Sequence, residues 1–182
     1  MGAELRALTF ADWGAVHDWA RREEACRYQA WGPNTPEQTK SFVQDAVDAW
    51  AQRPQTRFVY AVTLDGKVIG IAELKLRGGR QGEISYGIHP DLWGRGLATD
   101  AARQLLTIGF TEHNLHRIFG TCDPRNEASA RVLTRIGMRY EGRMRGTIQV
   151  RDGWRDSDLY AVLQTDNRHY AEPHVADRHG FR

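Results

Sequence analysis

Two β-rich runs joined by Asp65-Gly66 constrain the fold of this chain more than any other feature. The runs are RFVYAVTL (Arg57–Leu64) and KVIGIAELKL (residues 67–76), both rich in β-branched side chains. Asp-Gly suits a two-residue turn in which both central residues have positive φ. The pattern predicts an antiparallel hairpin. A third strand is predicted over residues 83–88, where EISYGI precedes His89-Pro90.

The other segments do not alternate strand and helix regularly. A strand is predicted over residues 4–8, and Thr35-Pro36 begins a predicted helix over residues 36–51. Further predicted elements are a helix after Thr9, helices over residues 97–110 and 126–136, a strand over Arg117–Cys122, and a closing hairpin over residues 138–150 and 154–163. This order predicts an α+β fold with a mixed, mostly antiparallel central sheet and helices on both faces. We expect one domain over residues 1–164 and a polar tail over residues 165–182.

Composition narrows the class of protein. The 182 residues are 41% apolar and 26% charged, which is ordinary for a soluble globular protein. No run approaches the roughly 18 apolar residues of a membrane span, and we expect a cytoplasmic protein with no membrane partner. The net charge of +2 is dispersed, so no nucleic-acid partner is expected. Cys26 and Cys122 lack zinc-site spacing, and no metal is expected. The oligomeric state is left open between monomer and homodimer.

The loop HPDLWGRGLAT, residues 89–99, joins a predicted strand to a predicted helix. Its glycines allow backbone amides to curl inward, and such a nest at a helix N-terminus stabilises a phosphate group. Arg95 can add a charge-assisted contact. The alternative is a simple glycine-rich helix start. A dinucleotide-binding fingerprint is disfavoured because Thr99 stands at the third glycine position, and no P-loop lysine follows the glycines.

At this point the sequence resembles the GNAT acetyltransferases and, within them, the RimJ/RimL branch of ribosomal-protein N-terminal acetyltransferases. The resemblance spans residues 5–163 and rests on the segments YGIHP (86–90), WGRGLAT (93–99) and NEAS (126–129). It implies that the backbone of Tyr86 and Ile88 pairs with the pantetheine arm of acetyl-CoA. It also implies that the pyrophosphate is held by Trp93, Gly94, Arg95, Gly96, Leu97, Ala98 and Thr99. Trp93 replaces the more usual Gln or Arg, which is common in this branch.

Asn126 and Ser129 lie at the start of the predicted helix 126–136. From the residues alone, Asn126 is a helix N-cap and Ser129 a small polar residue on the same face as Leu133. The resemblance adds a pantetheine contact for Asn126 and a hydrogen bond from Ser129 near the thioester sulfur. Many members carry a tyrosine acid eight residues after this asparagine, but here Thr134 occupies that position, which favours Ser129.

Direct attack of a neutral amine on a thioester needs a route for the amine proton but no covalent nucleophile. Glu83 is the first candidate base, acting directly or through water; a solvated strand carboxylate is the alternative. Tyr28 and Trp31, in an irregular segment, are candidates for the acceptor pocket, although aromatic residues there are often core. Asp158 and Tyr160 are weaker candidates.

The predicted activity is acetyl transfer from acetyl-CoA to a primary amine in a ternary complex. The acceptor is expected to be a protein N-terminal α-amine or a small-molecule amine such as an antibiotic or polyamine. Two alternatives remain: a non-catalytic acyl-CoA-binding or sensing domain, and an acetyltransferase acting on aminoacyl-tRNA.

Overall fold

Seven strands form one sheet in the computed structural model, which describes residues 2–151 and 153–166. The strand order is β1-β2-β3-β4-β5-β7-β6, and all neighbours are antiparallel except β4 and β5. The strands are β1 (Glu4–Ala7), β2 (Arg57–Leu64), β3 (Lys67–Arg77), β4 (Gln81–Ile88), β5 (Arg117–Cys122), β6 (Arg139–Val150) and β7 (Gly153–Leu163). The predicted mixed, mostly antiparallel sheet is confirmed.

The central hairpin has the predicted turn. Asp65 and Gly66 have φ values of 50° and 76°, and Leu64 pairs with Lys67 across the turn. Two successive positive φ angles match the twist of the flanking strands. The local chemistry of Asp-Gly therefore sets the register next to the turn, and a bulge between Val62 and Thr63 shifts the pairing along the rest of the hairpin.

Five α-helices accompany the sheet in the described part of the chain, besides three short 3-10 helices. They are α1 (Trp13–Ala20), α2 (Glu23–Cys26), α3 (Pro36–Ala49), α4 (Leu97–Thr111) and α5 (Glu127–Arg135). The predicted cap of α3 is present, since the Gln38 amide donates to Thr35 Oγ1 at 3.3 Å and the Thr35 amide donates to Gln38 Oε1 at 2.8 Å. Helix α2 was not predicted, because four residues are too few to show a helical period.

Helices cover both faces of the sheet, as predicted. Alternate strand residues point to opposite faces. Ala72 and Leu74 of β3 belong to the core that includes α4 and Leu133 of α5. Ile71 packs instead against the core formed with α1 and α3. The sheet thus separates two apolar cores, and a ligand passing between strands would reach both sides.

Strands β4 and β5 separate after a short parallel contact. Their pairing covers only three positions, from Gln81 opposite Arg117 to Glu83 opposite Phe119. Strand β4 nevertheless continues to Ile88 and β5 to Cys122. Beyond Glu83, the edge of β4 that faces β5 has no neighbouring strand among the described residues, although its other edge stays paired with β3. Backbone amides and carbonyls on such an edge can bond an extended ligand.

Three sequence expectations can be compared with only part of the chain. Most of the polar tail, residues 165–182, lies outside the described residues, which end at Asp166. Between residues 2 and 166, leaving out 152, no helix has the length and apolar character needed to cross a membrane. In the same part of the chain, no three His, Cys, Asp or Glu side chains lie together as a metal site would require.

Candidate active site

The loop before α4 has the backbone conformation of an anion-binding nest. Gly94 and Gly96 have φ values of 78° and 80° on either side of Arg95. A Cβ atom at either glycine would meet no atom within 4 Å, so the glycines are needed for their positive φ and not for close packing. The first hydrogen bond of α4 runs from the Asp100 amide to the Gly96 carbonyl at 3.1 Å.

Six amides in this loop are available to a ligand. The amides of residues 94–99 make no hydrogen bond within the parts of the chain that the structure describes. The last three belong to the first turn of α4, where amides lack intrahelical partners and the helix dipole is positive. A doubly charged group would be bound here by main-chain donors, with Arg95 beside it.

Trp93 was expected to offer its backbone amide to the pyrophosphate, but both its amide and its indole are hydrogen-bonded within the protein. Its amide donates to the Pro90 carbonyl at 3.0 Å, so the nest begins at Gly94. Its indole Nε1 donates to the Ile88 carbonyl at 2.8 Å and ties the loop to the end of β4. The spacing of residues in the sequence does not show that the Trp93 amide is already hydrogen-bonded within the turn that begins at Pro90.

A cavity of about 1300 Å³ leads from this loop through the gap between β4 and β5 to the face covered by α1 and α3. All predicted site residues line it except Glu83. They are Tyr28, Trp31, Tyr86, Ile88, Trp93, Gly94, Arg95, Gly96, Leu97, Ala98, Thr99, Asn126 and Ser129. The structure therefore brings three separate sequence segments to one continuous cavity.

The start of α5 places two hydroxyl groups side by side in this cavity. Asn126 caps the helix by accepting from the Ser129 amide at 3.1 Å. The Tyr86 hydroxyl lies 3.2 Å from Ser129 Oγ and also donates to the Ser129 carbonyl at 3.3 Å. Burial of the phenol raises the pKa of Tyr86, so both hydroxyls remain protonated near neutral pH and can donate hydrogen bonds.

The hydroxyl of Tyr86 is a feature of the site that the sequence did not predict, since the resemblance implies only a backbone role for this residue. Tyr86 comes from β4 and Ser129 from α5, 43 positions later. The alternation of β4 could indicate which face the phenol takes, but not which helix it meets there.

Glu83, the predicted base, forms an ion pair with Arg77 of β3. Its carboxylate accepts from Arg77, whose Nε lies 3.0 Å from Glu83 Oε2, and it is absent from the cavity lining. Arg77 pairs with Gln81 on β4, two positions from Glu83, and residues on this diagonal are within reach of long side chains. The strand register therefore gives Glu83 an ion pair with Arg77, and its role as the base stays a prediction.

A different carboxylate lines the cavity, that of Glu73 on β3. It is buried and accepts from Arg57 Nε at 2.5 Å and from Ser85 Oγ at 3.3 Å. Lys75 Nζ lies 3.4 Å away. Two cations and a hydroxyl therefore already contact the oxygens of this carboxylate.

Asp123, just after β5, is likewise paired. Arg125 donates to it from the backbone amide at 2.9 Å and from Nη2 at 2.8 Å, and these bonds lower the pKa of Asp123. Arg155 Nε lies 3.9 Å from the same carboxylate. By contrast, Arg27, Arg95 and Arg135 line the cavity without an ion pair to any residue in the described ranges.

Of the remaining candidate residues, Tyr28 and Trp31 line the large cavity, whereas Asp158 and Tyr160 do not. Trp31 packs edge-on against Trp19 with ring centroids 5.8 Å apart, and Tyr28 lies below the Arg125 guanidinium at 5.9 Å. Tyr28 also lines an adjoining cavity of about 280 Å³. Asp158, however, is bonded by Arg143 at 2.8 Å, and neither Asp158 nor Tyr160 lines either cavity.

Cys122 lines the large cavity, but its chemistry does not suit a nucleophile. Burial is the main cause that raises the pKa of this thiol to about 11. The reactive form of cysteine is the thiolate, which is scarce at neutral pH for such a group. The packing role expected from the sequence is consistent with its 5% exposure.

Comparison with known proteins agrees with this geometry. Residues 3–139 match the family described as Acetyltransferase (GNAT) domain. The uncharacterised N-acetyltransferase YnaD of Bacillus subtilis (strain 168) is 34% identical over 163 residues, which cover 89% of this chain and 94% of YnaD. The spermidine N(1)-acetyltransferase of Escherichia coli (strain K12) is 28% identical over 166 residues, covering 88% of this chain and 86% of that enzyme.

Among solved structures, RimJ of Mycobacterium smegmatis in complex with CoA-disulfide superimposes with a TM-score of 0.78 at 26% identity. The match covers 91% of this chain and 84% of RimJ. This likeness is consistent with the RimJ/RimL branch that the sequence motifs predict. With a family match over three quarters of its residues, a continuous cavity at the separated strands and a nest at its entrance, this chain belongs to the GNAT acetyltransferases and is an acetyl-transfer enzyme.

Proposed function

We propose that this enzyme transfers the acetyl group of acetyl-CoA to a primary amine by direct attack in a ternary complex. The observation that carries the proposal is the cavity that joins the free amides of residues 94–99 to the hydroxyls of Tyr86 and Ser129 through the gap between β4 and β5. The RimJ relative was solved with a CoA-disulfide, which supports a coenzyme of this kind in the same groove.

Acetyl-CoA supplies an activated acetyl thioester, and the protein supplies binding and orientation. The amides of residues 94–99 bind the diphosphate, and the unpaired edge of β4 near Tyr86 and Ile88 bonds the amide groups of the pantetheine arm. Ser129 donates a hydrogen bond toward the sulfur as it gains negative charge, and the Tyr86 hydroxyl, bonded to the Ser129 carbonyl, holds Ser129 in place. Preorganised donors of this kind stabilise charge that develops during the reaction.

The amine proton is proposed to leave to water. Glu83 is held by Arg77 outside the cavity, and Glu73 is already bonded by cations. An α-amine with a pKa of about 7.7–8.0 is substantially neutral near physiological pH, whereas a lysine amine near 10.4 is not. A site without a free base therefore favours an α-amine as the acceptor.

The charges in the cavity further favour a peptide α-amine over a polyamine. Within the described ranges, its carboxylates are Glu24, Glu73 and Asp123, and each already has a cation partner. A polyamine carries further ammonium groups that need unpaired carboxylates, and the cavity has none to offer. The similarity to a spermidine acetyltransferase supports the reaction type but not the same acceptor. Tyr28 and Trp31 are proposed to line the part of the cavity that takes the peptide.

An acceptor panel tests this proposal. Release of CoA from acetyl-CoA is measured with a short peptide bearing a free N-terminal serine, the same peptide already N-acetylated, spermidine, and an aminoglycoside. We expect turnover with the free peptide, none with its acetylated control, and slower turnover with spermidine. Faster turnover with spermidine or the aminoglycoside would refute the peptide acceptor. Binding of acetyl-CoA with no turnover on any amine would refute catalysis and favour the sensing alternative.

A further inference from the structure

A side pocket of about 280 Å³, between α2 and the turn after β5, adjoins the part of the large cavity proposed for the acceptor. The two spaces share a wall, because Arg27, Tyr28, Gln29 and Asp123 line both. The side pocket is smaller than the roughly 300–1,000 Å³ typical of sites for drug-sized ligands, so it suits one side chain. A peptide bound along Tyr28 would place a side chain there.

The side pocket carries more positive than negative charge. The charged residues that line it are Arg27, Arg125, Arg151, Glu23 and Asp123. Its ion pairs among the described residues are Arg125 with Asp123 at 2.8 Å and Arg151 with Glu23 at 3.8 Å. Neither pair involves Arg27. The pocket therefore offers the positive charge of Arg27 to a ligand.

A second arginine, Arg155 of β7, lines the large cavity beside Asp123 and has an unsatisfied donor. Its side chain is only 10% exposed, and its Nη1 donates to the Asp156 carbonyl at 3.0 Å and to Ser157 Oγ at 3.1 Å. Its Nε is buried without a hydrogen-bond acceptor among residues 2–151 and 153–166, and lies 3.9 Å from the Asp123 carboxylate. Buried donors nearly always have an acceptor, so a ligand carboxylate at this wall would complete the contacts of the guanidinium.

The side pocket lies close to the reacting end of the cavity. The Asp123 carbonyl accepts from the Asn126 amide at 2.8 Å, and Asn126 Oδ1 accepts from the Ser129 amide at 3.1 Å. Two hydrogen bonds thus connect Asp123, on the pocket wall, with Ser129. An extended peptide advances about 3.3–3.6 Å per residue. A peptide whose α-amine lies at Ser129 would therefore bring its second or third side chain to the pocket.

We infer that the side pocket binds an acidic side chain, aspartate or glutamate, at the second or third residue of the acceptor peptide. Arg27 is its main cation and Arg155 an additional donor, because a guanidinium can bond a carboxylate through two parallel hydrogen bonds. The inference rests on the proposed peptide acceptor and specifies its chemistry. A competing explanation is that Arg27, which is exposed, is only a solvated surface residue. That explanation predicts equal reaction of acidic and neutral peptides.

Steady-state acetylation of matched peptides by the full chain tests the inference through release of CoA. The peptides begin with serine and carry glutamate, glutamine or lysine at the second, third or sixth residue. At the second or third residue, we expect kcat/KM with glutamate to exceed that with glutamine roughly tenfold, as for a charge-assisted hydrogen bond in a partly exposed site. The difference should lie mainly in KM, because a contact remote from the reacting atoms is equal in the ground and transition states. At the sixth residue, glutamate and glutamine should react equally.

Two variants of Arg27 and one control assign the preference to this residue. Arg27→Gln should reduce the glutamate preference to about twofold or less, and Arg27→Glu should reverse it in favour of the lysine peptide. Arg145→Gln removes the same charge from an exposed position of β6 that lines neither space, and it should keep the preference. Exposed substitutions change stability little, so all three variants should unfold in urea like the wild type.

The possible failures have different meanings. Equal kcat/KM with glutamate and glutamine in the wild type would overturn the acidic pocket while leaving the peptide acceptor intact. A preference that persists in Arg27→Gln, or that is as large at the sixth residue as at the second and third, would also overturn the pocket. Absence of turnover on every serine peptide, together with turnover on spermidine, would refute the proposed acceptor and the inference with it.

Discussion

Gly96→Ala tests whether the left-handed backbone before α4 is what binds the coenzyme. Gly96 has a φ of 80°, and a Cβ atom there would meet no atom within 4 Å. The added methyl group therefore costs conformational strain only, about 1–2 kcal/mol for a left-handed alanine. Reduced freedom of the unfolded chain returns about 0.4–1 kcal/mol. The net loss of about 1 kcal/mol is small beside a typical stability of about 5–15 kcal/mol, so the variant should fold.

Affinity for CoA should fall much more than stability does. If alanine draws residue 96 out of the left-handed region, the neighbouring amides turn away from the diphosphate. A hydrogen bond to a charged group contributes about 1.5–3 kcal/mol, and about 1.4 kcal/mol is a tenfold change in Kd. Loss of even one such bond therefore predicts CoA binding at least about tenfold weaker. Gly96→Glu, which also adds a negative charge, should abolish binding.

The chain offers a matched control in Gly66→Ala. Gly66 has a φ of 76° and the same open surroundings, but it lies in the β2–β3 turn. Both alanine variants should lose similar stability in urea denaturation, while only Gly96→Ala loses affinity in calorimetric titration with CoA. If Gly96→Ala binds CoA as the wild type does, the nest is not the diphosphate site and the reasoning fails.

Three other predictions concern the chemistry and the stability of the fold. Ser129→Ala should lower kcat roughly tenfold with little change in the Kd of acetyl-CoA, and Tyr86→Phe should do the same. Because the two hydroxyls are in contact, their effects should not be fully additive in the double variant. A wild-type kcat in steady-state assays would mean that both hydroxyls have structural roles only. Glu83→Gln should keep kcat within about twofold, because the Glu83 carboxylate pairs with Arg77 and does not line the cavity. A large loss of turnover would instead support Glu83 as the base. Asp12 accepts from Arg6 Nη2 at 2.7 Å, the main cause that lowers its pKa from 3.8 to about 2; this stabilisation is present above pH 4 and is lost as the pH falls through about 2. Because Arg6 is 43% exposed, solvent screening reduces this contribution, and Asp12→Asn should lower the free energy of unfolding in urea by about 1–2 kcal/mol at pH 7 and by less at pH 3. An equal loss at both pH values would contradict the role of the Arg6–Asp12 pair.

Elements whose signals are local were predicted well. The Asp65-Gly66 turn, the capping box at Thr35 and Gln38, and the bounds of β2 and β5 depend on residues adjacent in the chain. Such interactions are nearly complete within a few residues, so the sequence carries them directly. Helix α2 escaped prediction because its four residues present no repeat of the helical period.

The features that the sequence did not reveal are contacts that depend on the folded backbone. The sequence shows a carboxylate at Glu83 but not that Arg77 reaches it across the hairpin. It shows Tyr86 but not that its hydroxyl meets Ser129. It shows Trp93 in a glycine-rich loop but not that the preceding turn takes up its amide.

By itself, the sequence determined the strands, the longer helices, their order and the glycine-rich backbone before α4, because steric limits on φ and capping hydrogen bonds act between neighbours in the chain. Only the tertiary structure decided where β4 parts from β5, which hydroxyls face each other and which carboxylates remain free. Those outcomes depend on strand register and on helices packing across the sheet, where small shifts change which side chains come within hydrogen-bonding distance.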